Sequence, residues 1–476
     1  MTSASVLYRT LAAACVISAA GCTLVDPNNV IGRQLVDPTV TPVEVVPSTA
    51  PRVLTAETRR EAFDFVWNTV NDRYHDRALN GVDWKAVGEK YRPLAMAARD
   101  DEAFWDVLDR MAGELKDSHT RVESPRRVEL RKRDESVTLG FSFIPLDSRL
   151  VVTGVHPDSD AWWAGVRAGM FLVRIGEENA EAAYRRMLSE TRLTSTDRAR
   201  HMTTVRRLVT GDLGSATKLT FERPDGTRIE GTFTRRRVVS RPTAAHRILP
   251  SGYGYLRLSQ WTVGVMPAVL DGIEALENAP GIVIDVRGNP GGSVHAVNAM
   301  LSRFFEKKTD LGDVTTRTGQ PVSLLFGTVE IIKLKQEVGG RADAYKGPVV
   351  ILVNAGSGSG SELFAGTMQA VGRATIVGEP SCGCLLGFLG YARIPGGAEL
   401  AYSEVGFVMA NGRKIEGEGV QPDRPVPLNL TDLRAGRDRA LEEAQAILAT
   451  RVASAPTGTA SSPATTSTPT SASSTR

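Results

Sequence analysis

The chain has 476 residues, too many for one ordinary core, so two or three domains are expected. Its 57 Lys and Arg nearly balance 54 Asp and Glu, a formal net charge of +3. That balance gives no reason to expect nucleic acid or an acidic substrate.

The N-terminus carries an address. Arg9 precedes an apolar run over residues 11–20, which is too short to span a bilayer as a helix and ends in Ala19-Ala20-Gly21-Cys22. A basic start, a short apolar stretch and small residues before a cut describe a secretory signal over residues 1–21. A Cys directly after the small residues resembles a bacterial lipobox, which makes Cys22 the lipidated first residue; an ordinary signal with an incidental Cys is the alternative. Thr23 rather than Asp follows, and by the usual sorting preference this resembles an outer-membrane lipoprotein facing the periplasm. Residues 22–54 read as a tether. Of the four Cys, Cys15 leaves with the signal, and Cys382 and Cys384 remain in an oxidising setting. A Cys-x-Cys pair is poor disulfide geometry and too sparse for a zinc site. No metal constellation and no organic cofactor is implied.

Residues 55–135 open as helix: Phe63, Phe65, Val66, Val70 and Tyr74 recur at helical spacing behind Thr55 as cap, and Phe104, Leu108 and Met111 repeat the pattern. The segment then breaks into Asp117-Ser118-His119-Thr120, a turn entering a short strand. Over residues 136–238 the character becomes β-rich. Leu139-Gly140-Phe141-Ser142-Phe143 and Leu150-Val151-Val152 suggest a hairpin, and a second hairpin turns at Asp225-Gly226. From residue 239 to 430 strands alternate with helices, which predicts a sheet covered by helices with ligands at the strand carboxyl ends. A C-terminal helix over 431–452 and a Ser/Thr/Pro tail over 453–476, expected to be disordered, complete the chain.

Within the α/β part, residues 349–371 combine three features. Val349–Val353 is a β-branched run that reads as a strand buried on both faces. Residues 362–371 carry helical spacing, and Gly356 to Ser361 alternates Gly and Ser between the two. Such a turn sets small hydroxyls at the positive end of a helix, good ground for a serine nucleophile. The plain alternative is a capping box of Ser359 with Glu362, unless Ser361 takes the capping role and leaves Ser359 free. A second Gly-rich turn, Arg287-Gly288-Asn289-Pro290-Gly291-Gly292, also follows a strand, and neither turn has a nucleotide-binding spacing.

Four separated motifs, IVIDVRGNPGGS (282–293), the 349–371 stretch, GRATIVGEPSCG (372–383) and IEGEGVQPD (415–423), resemble the carboxy-terminal processing (tail-specific) protease family. The β-rich run resembles a PDZ domain. The resemblance implies a fold: an α/β core, a crotonase-like/ClpP-like spiral of strands and helices, with an N-terminal helical region and an inserted PDZ-like domain. It implies a serine-type peptidase acting on peptides or on C-terminal or unfolded protein segments, and leaves a homo-oligomer open. The PDZ resemblance implies that the Leu139-Gly140-Phe141 loop offers N–H groups to a peptide's terminal carboxylate.

The family's best-known branch pairs its serine with a lysine, but Cys384 stands where that lysine is sought. A second branch, resembling the tricorn core, uses Ser, His and Glu. Its motifs match at Asp117-Ser118-His119-Thr120 and at Glu416 ahead of Gly419-Val420-Gln421-Pro422-Asp423. The resemblance therefore implies Ser359 as nucleophile, His119 as base and Glu416 as the carboxylate orienting it, with Ser118 assisting. His295 is a rival base and Glu418 a rival carboxylate. Gly360 is the natural first oxyanion donor, and Gly291 or Gly292 the second. Two other classes stay open: a catalytically inactive peptide-binding envelope adaptor, and a non-proteolytic acyl-transfer hydrolase.

Overall fold

The computed structural model describes residues 53–133, 135–239, 241–324 and 329–454, together with the two-residue strand Gln34–Leu35. Cys22 lies outside the described residues. The centre is a six-stranded sheet in the order Ala244–Ile248, Gly254–Leu258, Ile282–Asp285, Val349–Val353, Ala374–Gly378, Arg424–Pro425. Its first pair is antiparallel and the rest are parallel. Successive side chains of a strand point to opposite faces. Val349, Ile351 and Val353 thus pack on one side with helices Met266–Ala275, Val294–Leu301 and Gly360–Ala370. Val350 and Leu352 pack on the other, against Ala440, Ala444 and Leu448 of helix Arg439–Ala453. Two covered faces explain why the strand is apolar at every position.

Ahead of the core, helices Ala56–Arg73, Trp84–Met96 and Asp101–Gly113 bury Phe63, Val66, Val70, Phe104, Leu108 and Met111 in a core of their own. The Thr55 hydroxyl caps the first helix by accepting the Thr58 N–H at 3.1 Å. The strand that follows, Arg121–Glu123, pairs antiparallel with Glu399–Ala401. That pairing carries residues 117–120 onto the α/β core.

Between these parts a five-stranded antiparallel path, Phe141–Leu146, Arg149–Val155, Phe171–Ile175, Ala216–Glu222 and Arg228–Thr234, encloses a third core. This module also contains two helices, Ala180–Glu190 and Asp197–Val209, that strand patterning alone does not suggest. The second is docked on the α/β core. Arg198 Nε donates to Ser381 O at 3.0 Å, Arg198 Nη2 donates to Glu418 O at 2.6 Å, and the Thr196 hydroxyl donates to Cys382 O.

Candidate active site

The turn after strand Val349–Val353 places Ser359 at the N-cap of helix Gly360–Ala370 with φ 48° and ψ −111°. A side chain at positive φ costs on the order of 1–3 kcal/mol and persists only where its surroundings over-determine it. Here the Ser359 N–H is shared by Glu362 Oε2 at 3.0 Å and Cys384 O at 3.2 Å. Glu362 is wholly buried. Its carboxyl also accepts from Ser381 Oγ at 2.5 Å, Gly383 N at 2.6 Å and Cys384 N at 2.9 Å. Burial pushes Glu362 up to about 6, with those donors opposing. The expected capping box of Ser359 with Glu362 is therefore present, and Ser359 Oγ at the same time lies 3.3 Å from His119 Nε2. Ser361 does not take the capping role. Its hydroxyl accepts from Trp261 Nε1 and donates to Asn289 O, both at 2.9 Å, tying helix Gly360–Ala370 to the second glycine turn.

That second turn lies against the first. A Cβ on Gly291 would sit 2.7 Å from Gly360 N and from Ser359 Cβ, so only glycine fits. The two glycines differ in their donors. Gly291 N–H is used by Asn289 Oδ1 at 2.9 Å, whereas Gly292 N–H and Gly360 N–H have no partner among the described residues. A Cβ on Gly360 would lie 3.2 Å from Gly292 N, so the two unused N–H groups are neighbours.

His119 is held by its own turn. Asp117, 0% exposed, accepts the His119 backbone N–H at 2.7 Å and the hydroxyls of Thr120 and Ser403. Burial opposes ionisation of Asp117, but the charge on His119 and these hydrogen bonds prevail and hold it below the ordinary carboxylate value. Burial lowers His119 to about 4; Asp117 opposes that shift, and Arg121 and Arg192 add to it. At neutral pH the imidazole is a neutral base beside a buried carboxylate.

Two expectations are corrected. Glu416 makes no hydrogen bond to His119: His119 Nδ1 and both Glu416 oxygens are buried without a partner of normal geometry among the described residues. Burial, then the charge of Asp117, pushes Glu416 up to about 9, with the Ser195 hydroxyl and Leu385 amide close enough to temper the shift. Two carboxylates cannot both ionise cheaply in one buried region, and Asp117 holds the charge. Cys382 and Cys384 are joined as a disulfide, against the expectation from their spacing. Gly383, at φ +76°, folds the chain so that their Cα atoms lie 5.4 Å apart, within bridging range.

Of the other expected residues, Ser118 is paired with Ser195 rather than with His119. Ser118 N donates to Ser195 Oγ at 2.9 Å and Ser195 N donates to Ser118 Oγ at 3.2 Å. His295 is exposed on the cleft wall and makes no hydrogen bond to Ser359. Glu418 is exposed. In the β-rich module, Leu139 N–H donates to Val209 O at 3.0 Å and Gly140 N–H to Thr138 Oγ1 at 3.2 Å. Leu139 and Phe141 are buried. The loop is therefore not an open set of donors: the end of helix Asp197–Val209 has taken one of them. Asp117, Asn289 and Ser195 were passed over in the sequence because their roles come from burial and from partners distant in the chain.

Residues 252–426 match the model of peptidase family S41, and residues 55–113 match that of the tricorn protease C1 domain. The chain is 25% identical over 387 residues to a carboxyl-terminal-processing protease of Picosynechococcus sp., covering 76% of this chain and 81% of the relative. It is 24% identical over 414 residues to the putative tricorn protease homolog 2 of Streptomyces coelicolor, covering 81% of this chain but only 32% of that relative's length. Among solved structures, the photosystem II D1 C-terminal processing protease superposes with a TM-score of 0.53 at 22% identity, over 84% of this chain and 99% of the other. Mature CPAF superposes with a TM-score of 0.65 at 16% identity over the same shares, and both likenesses are of fold. Residues 252–426 are similar to peptidase family S41 and residues 55–113 to the tricorn C1 domain, and the chain is a serine-type peptidase similar to the carboxyl-terminal processing proteases.

Proposed function

We propose that the chain is a cell-envelope endopeptidase in which Ser359 and His119 form an acyl-enzyme from peptide or unfolded protein segments. The observation that carries this is the 3.3 Å approach of Ser359 Oγ to His119 Nε2 at a strained helix cap. Catalytic hydrogen bonds in free enzymes are often this loose and tighten on substrate. Ser359 Oγ attacks the peptide carbonyl while its proton passes to His119 Nε2. The N–H groups of Gly360 and Gly292 receive the oxyanion, a service for which Gly291 N–H is not free. Collapse expels the amine, which takes the proton from His119. Water, deprotonated by the same imidazole, then releases the acyl group.

Asp117 stabilises the imidazolium as it forms. Glu416, expected from the sequence to orient His119 directly, takes part as a neutral acid whose proton lets a second carboxyl stand near Asp117. Residues 136–238 serve as the PDZ-like module delivering substrate. Cys22 supplies the lipid anchor, on the strength of Arg9, the short apolar run and the small residues before it. Labelled palmitate incorporated by the wild type and not by Cys22→Ala checks that point, and a wild type that takes up none removes the anchor.

Labelling with a serine-reactive fluorophosphonate tests the site. The label is expected on the wild type, to be lost in Ser359→Ala and His119→Ala, and to be kept in Cys384→Ala. Normal labelling of His119→Ala refutes the base assignment.

A further inference from the structure

The cleft above Ser359 has a volume of about 710 Å³ and one charge sign. Its lining includes no Asp and no Glu; its charged members are Arg121 and Arg206, beside the imidazoles of His119 and His295. A near-neutral chain has placed only cations where substrate must lie.

The two guanidiniums are not equivalent. Arg121 is committed: Nε donates to Glu123 at 3.0 Å, Nη1 to His119 O at 3.2 Å and Nη2 to Tyr391 Oη at 2.7 Å. Arg206 comes from helix Asp197–Val209, whose Ala199, Met202, Thr203 and Arg206 share one face at helical spacing and line the cleft. The other three arginines of that helix are tied down. Arg198 bonds Ser381 O and Glu418 O, Arg200 bonds Thr191 O and Leu188 O, and Arg207 bonds Glu190 O and faces Asp106. Arg206 is exposed as a residue, although packing around its guanidinium disfavours the charge and lowers its pKa, and the guanidinium has no hydrogen bond or ion pair among the described residues. Its charged surroundings are Arg121 and Arg127, with Glu123 the opposing acid. An unpaired guanidinium presents a planar fork matched to a carboxylate. The loop expected to hold a peptide carboxylate has meanwhile spent its Leu139 and Gly140 N–H groups internally.

Resting on the peptidase reading of Ser359, we infer that Arg206 is the substrate-carboxylate receptor of this cleft. The carboxylate is either the α-carboxylate of a chain end or the side chain of an Asp or Glu. The β-rich module would then set specificity from inside the catalytic cleft, through its docked helix.

The test uses the full chain and fluorogenic peptides of one sequence, differing only in Glu against Gln and in free against amidated C-terminus. The readouts are kcat and KM, together with each peptide's power to slow fluorophosphonate labelling of Ser359. One acid-bearing form is expected to exceed the neutral amide about tenfold in kcat/KM and in protection, through KM. Which form prevails identifies the source of the carboxylate. The advantage is expected to vanish in Arg206→Gln, to survive in part in Arg206→Lys, and to shrink at about 1 M salt, where the screening length is about 3 Å. An unchanged ratio in Arg206→Gln that still labels overturns the inference and leaves the peptidase reading standing. A wild type that neither labels nor cleaves overturns both.

Discussion

Replacing Asp117 by Asn removes one buried charge while keeping the shape of the turn. The amide oxygen of the new side chain can still accept the His119 backbone N–H, and the hydroxyls of Thr120 and Ser403 can rotate to accept from its amide nitrogen. What disappears is the attraction between a carboxylate and the imidazolium that forms as Ser359 attacks. The carboxylate lies 2.7 Å from the His119 amide nitrogen, and the charge centre of the ring is taken to be on the order of 6 Å away. With an effective dielectric constant of about 20, two unit charges at that distance interact by about 3 kcal/mol. That equals about two pKa units, or roughly a hundredfold in rate. The sign follows. Asp117 raises a His119 value that burial has lowered to about 4. Activity of the wild type should fall as pH drops through about 4, where the base becomes protonated. In Asp117→Asn that limb moves to lower pH while kcat falls about a hundredfold. Loss of the Asp117 charge also lets Glu416 ionise more readily, so residual activity should rise with pH and lose that rise in the Asp117→Asn, Glu416→Gln double variant. A pH profile of kcat/KM from about 4 to 9, with melting curves to confirm folding, decides the matter. Wild-type kcat with an unmoved acid limb would refute the electrostatic role and leave Asp117 a turn former.

Three other changes have defined outcomes. Glu416 titrates near 4.5 when unfolded and at about 9 when folded, so its raised value drains stability as pH rises between those limits, by about 3 kcal/mol at pH 7. Glu416→Gln should therefore melt higher than the wild type at pH 8 and equally near pH 4; a gap that fails to grow with pH contradicts this. Gly291→Ala would drive a Cβ against Gly360 N, Ser359 Cβ and Gly358 O, all backbone or nearly so, at φ +106°. The expected result is a loss in kcat/KM of roughly a hundredfold or more with little change in circular dichroism. Ser361→Ala strands the buried Trp261 N–H and takes one donor from Asn289 O, which keeps the Gly358 N–H, at a cost of about 1–3 kcal/mol in denaturant unfolding.

Local chemistry made much of this protein readable in advance. The apolar run of Val349–Val353 needs two covered faces wherever it occurs, and the glycines around Ser359 and after Arg287 announce backbone that other residues cannot follow. The Thr55 cap and the buried stripe of Phe63, Val66 and Val70 are written within one helix. Helix Asp197–Val209 was readable too, from the Thr196 hydroxyl that caps Ala199 N–H and from Val205 and Val209 four apart, but the strands around it set the reading of that region.

What the sequence by itself determined was the set of turns and the residue types standing at them: a hydroxyl at 359, an imidazole at 119, glycines at 291 and 292. Tertiary structure decided which of these meet and in what charge state. Ser359 and His119 are 240 residues apart and come together because Arg121–Glu123 pairs with Glu399–Ala401. Gly292 rather than Gly291 keeps a free N–H because Asn289 folds back on its neighbour. Asp117 rather than Glu416 carries the charge because hydrogen bonds from Thr120 and Ser403 reach one carboxyl and not the other. Spacing along a chain fixes local conformation, but solvation and long-range hydrogen bonds fix protonation, and those exist only once the chain is packed.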